Sequence, residues 1–586
     1  MIQPYLWIVI FGIITSFLVA YGNGANDLSN AFGTSYGSRV LTLTHIIIIA
    51  TFCEFGGAAL LGSKVSVTMS SGIASASSFT DEPYVLMYGF LCTLGATFLW
   101  LIIATWKELS VSSHQSVAGG ILGFALVYGG FGSVHWAKPS DSFPYVTGVV
   151  PIVVSWIISP ILTGAVAMVI YCAVRYLILE RKNAAYVAPY TMPVVVFVTC
   201  FMEFVFIFLI AASSKLKWSF GRSAWVAAAV SGGIALLSIP CIALLQKRIR
   251  GMEKEANAVA SEKGISVIEA MRSILIVGRP LPPEAIPQVS VISRPKGDLR
   301  EGHEGAPREM DDLDKVLLSR SAVRCDPKES AGKSLDGPTE TTGAVVFNND
   351  DTDEDMNEDH PDSLDTPNHD GVEARMGGSH AASASHPAAI GADYPFISHD
   401  KQGTPHFDPR AEYMFRYLQV FTAACTSLAH GANDVSNAIG PLAAIWGIYT
   451  SHDVSNVAQV KIWMLCLGGI GIVVGLATFG MKIMRLLGEK IAVITPFRGF
   501  SAELATAMVV SFATMFGIPI SSTHCITGAV VAVSMIDVGF RNVRWKIVLR
   551  MYAGWVTTLF FTALISAIFF AQGINSPTKG VGKSNN

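Results

Sequence analysis

The sequence contains twelve apolar segments, each close to the length of a membrane-spanning helix. A helix needs about 20 mostly apolar residues to cross the hydrocarbon core of a bilayer. Because backbone N–H and C=O groups in lipid must be hydrogen-bonded within the protein, these segments predict an all-α polytopic membrane protein. Seven segments precede a long polar stretch and five follow it, near residues 3–20, 42–62, 84–104, 114–134, 146–173, 193–213 and 224–245, and then 412–430, 460–480, 499–517, 520–537 and 547–571.

Two of these segments have a composition that is unusual for a simple membrane span. The segments at 114–134 and 520–537 are rich in Gly, Ser and Thr, and each follows a short polar sequence. A non-helical turn at membrane depth is tolerated where it is buried in protein or lines a cavity. We therefore interpret the two segments as arms of re-entrant helical hairpins, with simple spans as the alternative.

Charged residues are scarce and unevenly distributed. They make up 15% of the 586 residues, whereas soluble proteins carry about 25%. This composition argues against a cytosolic enzyme, a disordered protein and a basic nucleic-acid binder. Residues 247–410 hold 19 basic and 30 acidic residues, with an acidic run at 348–362, and the rest of the chain holds 22 and 14. We expect this loop to be mostly disordered, joining transmembrane halves at 1–246 and 411–586.

Basic residues predict the orientation, because cytoplasmic loops of membrane proteins are enriched in Lys and Arg. The first basic residue is Arg39, so the segment at 3–20 is expected to be a retained span rather than a cleaved signal. If twelve spans leave both termini outside, four basic clusters lie on the cytoplasmic side, whereas a fifth group at 215–222 lies on the outer side. We therefore expect the loop at 247–410 to be cytoplasmic. The four clusters are Arg175, Arg181 and Lys182; Lys247, Arg248 and Arg250; Lys482, Arg485 and Lys490; and Arg541, Arg544 and Lys546.

Each transmembrane half contains one copy of two motifs, in the same order. The sequence GANDLSNAFG at 24–33 recurs as GANDVSNAIG at 431–440, with eight of ten positions identical, and SVSSHQ at 110–115 matches PISSTH at 519–524. Transporters built from two structural repeats have this signature, with a site at the repeat interface. Six predicted spans separate the helices that carry the first motif pair. The two helices are therefore seven positions apart in the order of spans. Because an odd shift reverses the direction in which a helix crosses the membrane, we predict inverted repeats.

The first motif pair places an acid at predicted membrane depth in each half. Asp27 and Asp434 lie in apolar surroundings, where an ionisable group is costly and usually functional. With the neighbouring Asn26 and Asn433 and backbone carbonyls at broken helix ends, they offer oxygen ligands for Na⁺, and the carboxylates also accept H⁺. Asn and Asp also cap helix starts, and the two roles are compatible.

The second motif pair predicts an anion site. Hydroxyl side chains begin two Gly-rich segments, where a helix N-terminus presents free N–H groups and the positive end of its dipole. Together these groups bind a tetrahedral oxyanion without a fixed cation, although Ser and Thr also serve as simple helix caps. The residues are Ser112, Ser113, Ser521, Ser522 and Thr523.

Further acids interrupt the apolar segments. Glu54 and Glu503 could coordinate an ion, exchange a proton or form a buried structural pair, and Glu203 is equally consistent with a bundle contact. Arg498 is expected to lie at the membrane interface. His114 and His524 occupy different positions of their motifs, which argues against a symmetric metal site. The sequence contains no GxSxG, HExxH, Walker A or dinucleotide motif in a suitable context, so we predict neither an enzyme nor an ATP-driven pump.

At these motifs the chain resembles the inorganic phosphate transporter family of the PiT type, over about 1–246 and 411–571. The resemblance implies twelve membrane segments, re-entrant hairpins, inverted repeats and a plasma-membrane location. It also implies that Asn26, Asp27, Asn433 and Asp434 shape the ion sites and touch phosphate, that the five tip hydroxyls bind phosphate, and that Glu54 and Glu503 are the membrane glutamates of the family. The first tip departs from the family pattern, with Ser110 in place of Pro and His114-Gln115 in place of Thr-His.

The resemblance implies a symporter that imports inorganic phosphate with Na⁺ by alternating access, with Na⁺ at Asp27 and Asp434 and no cofactor. Its expected partners are phosphate, Na⁺ and the lipid bilayer, with no nucleic acid; a homodimer and regulatory proteins on the loop are left open. Rival hypotheses are H⁺-coupled phosphate or sulfate transport, and a phosphate exporter or sensor that signals through the acidic loop. A membrane enzyme acting on a phosphorylated lipid lacks a visible nucleophile–base pair.

Overall fold

A computed structural model describes both transmembrane halves of the chain. The described residues are 5–141, 143–215, 218–267, 270–271, 274, 398–399, 405–454, 459–491 and 494–575. Most of the loop expected at 247–410 therefore lies outside the described residues. The expectation that the loop is disordered concerns those residues and stays a prediction.

The described structure is almost entirely helical. Fourteen helices longer than eight residues are α1 Leu6–Asn26, α2 Leu28–Gly37, α3 Leu43–Leu61, α4 Ser63–Ser71, α5 Pro83–Trp106, α6 Ser113–Gly129, α7 Val149–Val174, α8 Ala184–Lys215, α9 Phe220–Lys263, α10 Phe415–Ser451, α11 Ile462–Phe479, α12 Pro496–Met515, α13 Ser522–Val538 and α14 Trp545–Ile574. Shorter helical turns are Ala76–Phe79, Gly130–Ser133, Arg175–Leu179, Pro409–Glu412, Met481–Arg485, Leu486–Ile491 and Phe540–Asn542. Two antiparallel strand pairs join Lys138–Pro139 to Val146–Thr147 and Ser398–His399 to Pro405–His406.

Each of the twelve expected spans falls on a helix, and the all-α class is confirmed. Within the described residues, nine helical spans are long and apolar enough to cross a membrane. The three expected spans outside that set lie on α10, α12 and α13, which carry many of the polar side chains of the candidate site. Their polarity lowers their mean hydropathy, so the number of crossings stays a prediction.

The glycine that begins each first motif lies where two helices touch. A Cβ on Gly24 of α1 would lie 1.7 Å from the carbonyl oxygen of Ile472 on α11, and one on Gly431 of α10 would lie 2.2 Å from that of Glu54 on α3. The partner helices return the contact through glycines, because a Cβ on Gly475 or Gly57 would also overlap a backbone oxygen. Small residues permit such close backbone approach between membrane helices.

The two motif-bearing helices α1 and α10 run antiparallel. Gly12 lies beside Ile445, and the Ser16 hydroxyl donates a hydrogen bond to the carbonyl oxygen of Ala438 at 2.9 Å. The Asn23 amide then donates to the carbonyl oxygen of Asp434 at 3.3 Å, so residue numbers rise on one helix as they fall on the other. This direction is the one that inverted repeats require.

The helices of the two halves pack in corresponding pairs. α3 packs on α10 as α11 packs on α1, and α5 packs on α1 as α12 packs on α10. The second arms also correspond, because α6 packs on α14 as α13 packs on α7. The inverted relation of the whole repeats stays a prediction, and these matched pairs agree with it.

The expectation that the Arg498 side chain reaches water at the membrane interface is wrong, because protein encloses it. Arg498 is buried in the first turn of α12, where its Nε lies 2.5 Å from an oxygen of Asp537 on α13 and its Nη2 donates to the carbonyl oxygen of Pro405 at 2.7 Å. Asp537 also accepts hydrogen bonds from Tyr171 and Arg175 at the end of α7. Because this carboxylate compensates the guanidinium charge inside the protein, the side chain need not reach water.

We predict that Gly57→Ala destabilises the protein by about 1–3 kcal/mol, the usual cost of overpacking. A Cβ at this position would lie 2.1 Å from the backbone oxygen of Leu428 and would push α3 away from α10. Gly56→Ala is the matched control, because no atom lies within 4 Å of its added Cβ. Thermal unfolding of the purified protein in detergent measures both, and an equal midpoint for the two variants would contradict the prediction.

Candidate functional site

The first motif pair lies on a helical backbone in both copies. In the first copy, α1 ends at Asn26 and α2 begins at Leu28, and Asp27 between them keeps helical dihedral angles, with φ −81° and ψ −47°. The second copy lies inside α10, which continues from Phe415 to Ser451 without interruption. In the first copy the interruption is confined to Asp27, and the expectation of a broken helix end is wrong for the second. The polar side chains of that copy contact other elements, so the helix keeps its own backbone hydrogen bonds.

The second motif pair forms two buried hairpin tips. We call residues 107–114, which join α5 to α6 and include the first residues of α6, the first tip, and residues 516–523, which join α12 to α13 in the same way, the second tip. Ser112 and Ser521 are the N-caps of α6 and α13, and both are buried. The N-termini of these helices therefore present their N–H groups inside the protein, as expected for re-entrant hairpins.

Asn26 and Asn433 attach the motif helices to the tips. The Asn26 amide donates to the carbonyl oxygen of Leu109 at 2.9 Å, and its oxygen accepts from the N–H of Val111 at 3.0 Å. In the second half, the Asn433 amide donates to the carbonyl oxygen of Ile520 at 2.7 Å. In this arrangement, both side chains position the tips.

The two motif aspartates accept hydrogen bonds from tip hydroxyls. Asp27 accepts from the backbone N–H of Ser113 at 3.0 Å and also from its hydroxyl. Asp434 accepts from the hydroxyl of Ser522, the corresponding residue, at 3.1 Å. Both carboxylates are buried. The structure thus brings together the predicted cation ligands and the predicted phosphate ligands.

Each tip helix also contacts the aspartate of the other half. The Thr523 hydroxyl on α13 donates to Asp27, and the corresponding residue on α6, His114, lies with its Nδ1 3.7 Å from Asp434. The departure of the first tip from the family pattern therefore places an imidazole where the other half has a hydroxyl. His524 lies against Gln115 at 3.5 Å, and its ring packs edge-on against Trp555.

Glu54 joins the site through a histidine. The Nδ1 of His430 lies 2.7 Å from Glu54, and its Nε2 lies 2.9 Å from Asp434. Ser427 donates to the second oxygen of Glu54 at 3.1 Å. A protonated His430 would carry the positive charge that two buried carboxylates require.

The buried pair of His430 and Glu54 has no ionisable counterpart at the corresponding positions of the first half. His430 immediately precedes Gly431, and the residue before Gly24 is Asn23. Glu54 packs against Gly431, and the residue that packs against Gly24 is Ile472. The two halves therefore share a backbone arrangement while their charges differ.

Glu503 lies apart from the tips in a set of hydrogen-bond donors. One carboxylate oxygen accepts from Thr34 at 2.5 Å, Ser35 at 2.6 Å and Gln419 at 3.2 Å, and the other accepts from Thr422 at 2.8 Å. These contacts join α2, α10 and α12. Glu54 forms a buried pair with His430, which is one of the roles considered for it, whereas these contacts of Glu503 are with neutral side chains.

Glu203 on α8 is buried, and neither of its carboxyl oxygens has a hydrogen-bond partner in the part of the chain that the structure describes. Its burial on α8 agrees with a bundle contact.

Several polar atoms near the aspartates are open to a ligand. The side-chain oxygens of Asn23, Asn433 and Asn437 accept no hydrogen bond, and the hydroxyl of Ser112 has no partner, among the described residues. Oxygen atoms of this kind suit a hard cation. The part of the chain that the structure describes contains no cluster of three or more His, Cys, Asp or Glu side chains arranged to hold a metal ion.

The space at this site is small. A cavity of about 10 Å³ lies beside His430 and Ser522, which is room for about one water molecule. The tip hydroxyls and the carboxylates are in direct contact instead. Binding of an oxyanion between them therefore requires the tips to move apart.

Several side chains of this site are not predicted by the sequence motifs: Thr34, Ser35, Gln419, Thr422, His430 and Asn437. A usable signal existed for His430, because it stands next to the second motif where the first copy has Asn. Thr34 and Ser35 also follow the first motif directly. Gln419 and Thr422 gave no signal, because only the folded helix brings them to Glu503.

The chain is similar to known transporters along almost its whole length. The model of the phosphate transporter family matches residues 23–566. The phosphate-repressible phosphate permease pho-4 of Neurospora crassa is 28% identical over 99% of each chain, and sodium-dependent phosphate transporter 2 of Felis catus is 28% identical over 97% of this chain and 98% of its own. A solved structure described as the sodium-dependent phosphate transporter has the same fold, with a TM-score of 0.61, 23% identity, and coverage of 97% and 98% of the two chains.

The family match covers far more than half of the chain, so the resemblance drawn from the paired motifs is confirmed. The chain therefore belongs to the phosphate transporter family, whose members are transporters and not enzymes.

Proposed function

We propose that this protein imports inorganic phosphate together with Na⁺ by alternating access. The observation that carries the proposal is the meeting of both hairpin tips with both motif aspartates: Asp27 accepts from Ser113 of one half and Thr523 of the other. Relatives named as sodium-dependent phosphate transporters support the choice of ions. We also propose a plasma-membrane location with the termini outside and the loop at 247–410 in the cytoplasm.

In this proposal the hydroxyls couple the two substrates. A hydroxyl that donates its hydrogen to Asp27 or Asp434 has none left for phosphate. When Na⁺ binds a carboxylate, the hydroxyl oxygen turns its lone pairs toward the cation and its hydrogen toward the anion. Phosphate then binds the hydroxyls and the N–H groups that begin α6 and α13. Each substrate thus improves the site for the other, which makes import coupled.

The cation sites are proposed at the two aspartates. Asp27 and Asp434 supply charge, and the open side-chain oxygens of Asn23, Asn433 and Asn437 supply neutral ligands. Two Na⁺ with one H₂PO₄⁻ would carry one net positive charge, so an inside-negative potential would add about 2.3 kcal/mol per 100 mV. With HPO₄²⁻ the same transfer is neutral.

H⁺ coupling is the second candidate, and one contact favours it. His430 lies between Glu54 and Asp434 and could carry a proton between conformations. The first half has Asn23 at the corresponding position, so this route would involve one half alone.

Uptake of radiolabelled phosphate into proteoliposomes separates the candidates. A tenfold inward Na⁺ gradient, which supplies about 1.4 kcal/mol per ion, is expected to drive accumulation, whereas an equal K⁺ gradient is not. Uptake that ignores Na⁺ and follows an imposed pH gradient would favour the H⁺-coupled alternative. Sulfate that competes as well as phosphate would contradict phosphate selectivity.

We predict that Asp27→Asn and Asp434→Asn each abolish Na⁺-driven uptake, because an amide supplies no charge to balance the cation. Asp141→Asn removes an exposed acid and serves as the control. The same proteoliposome assay measures all three, with thermal unfolding in detergent to show that each variant is folded. Full Na⁺-driven uptake in either motif variant would contradict the proposed cation sites.

His430→Asn is predicted to destabilise the protein by about 3–5 kcal/mol, because it leaves two buried carboxylates without their cation. The double variant His430→Asn/Glu54→Ile reproduces the Asn23 and Ile472 arrangement of the first half and should recover part of that loss. Thermal unfolding measures the stability. A double variant no more stable than His430→Asn alone would show that His430 does not compensate Glu54.

A further inference from the structure

A second, larger cavity lies near the end of α2 and the start of α10. It has a volume of about 200 Å³ and lies between α9, the start of α10 and the residues that follow α2. Two arginines, Arg248 and Arg416, and two tyrosines, Tyr413 and Tyr417, line it with apolar side chains that include Val40. The cavity therefore combines positive charge with an apolar wall, and the proposed transport mechanism does not use it.

The two arginines enter this cavity from different helices. Arg248 is exposed on α9, and Arg416 is half-buried at the start of α10, where it donates to the carbonyl oxygen of Arg39 at 3.4 Å. Nearby Arg410 is paired with Glu253 at 3.0 Å, whereas Arg248 pairs with no carboxylate of the described residues. The tyrosine hydroxyls are 3.1 Å apart and add polar atoms to the same wall.

The cavity lies at the level where α9 changes from apolar to basic. Leu244 is 67% exposed and lies one helical turn before Arg248, on the same face of α9. Lys247, Arg248 and Arg250 follow the apolar part of the helix directly. This sequence of residues is typical of a helix leaving the bilayer, and basic residues predict the cytoplasmic side.

We propose that this cavity binds the headgroup of an anionic phospholipid that carries phosphate monoesters, of the phosphoinositide type. Arginines from two helices would pair with the phosphates, and the apolar wall would take the glycerol end of the lipid. Basic pockets between membrane helices on the cytoplasmic side bind such headgroups. A lipid fits better than a soluble phosphorylated molecule, because the cavity adjoins the exposed apolar face of α9.

A bound headgroup would contact the end of α2 and the start of α10. Val40 lies just beyond α2, and Arg416 lies in the first turn of α10. Between these ends, the Ser38 hydroxyl donates to Gln419 at 2.7 Å, and Gln419 in turn donates to Glu503. The lipid would therefore stabilise the junction of α2 and α10.

The test is the binding of a fluorescent phosphatidylinositol bisphosphate to the purified full-length protein in phosphatidylcholine nanodiscs. Arg248→Gln is expected to weaken binding by about tenfold or more, which corresponds to about 1.4 kcal/mol. Arg250→Gln is the matched control. Arg250 carries the same charge and lies two residues after Arg248, but its side chain does not line the cavity. It should weaken binding by less than about twofold. Arg416→Gln, checked by thermal unfolding, should match Arg248→Gln.

Several outcomes would overturn the proposal. Equal losses in the Arg248 and Arg250 variants would show general attraction to a basic surface. Soluble inositol trisphosphate that binds as tightly as the lipid would identify a soluble anion as the ligand. If the full-length protein did not bind the lipid and binding appeared only after deletion of residues 348–362, the acidic run of the loop, and not a lipid, would be the occupant of the cavity in the intact protein.

Discussion

The hydrogen bonds to the buried carboxylate of Asp27 are the interaction on which the rest of the site depends. A buried carboxylate is costly unless donors or a cation compensate it. Here the donors come from both hairpins, Ser113 from the first and Thr523 from the second. The charge therefore draws the tips of the two halves together. The hydroxyls that satisfy the carboxylate are also the groups suited to an oxyanion, so stability and transport use the same atoms.

Close packing of helices makes this meeting of tips and aspartates possible. Gly24 and Gly431 let α1 and α10 touch their partner helices backbone to backbone, and Asp27 and Asp434 follow each glycine within one turn. Asn26 and Asn433 then hold the tips beside those aspartates. The motif is thus a packing element and a ligand set at once.

The two halves differ most where charge is buried. His430 and Glu54 correspond to Asn23 and Ile472, and His114 corresponds to Thr523. The second aspartate is therefore contacted by two imidazoles, His430 at 2.9 Å and His114 at 3.7 Å. Because a histidine can change its charge, the two cation sites are expected to have different affinities.

The sequence by itself determined the membrane class, the helical segments and the family, because apolar length and paired motifs are local signals. It also identified the aspartates and the tip hydroxyls, since both are repeated. Only the tertiary structure decided which tip serves which aspartate, that Glu54 joins the site through His430, and that Glu503 is held by α2 and α10. Those contacts join residues hundreds of positions apart, and the physical reason is that helix crossing points, set by glycines on both partners, determine which side chains meet.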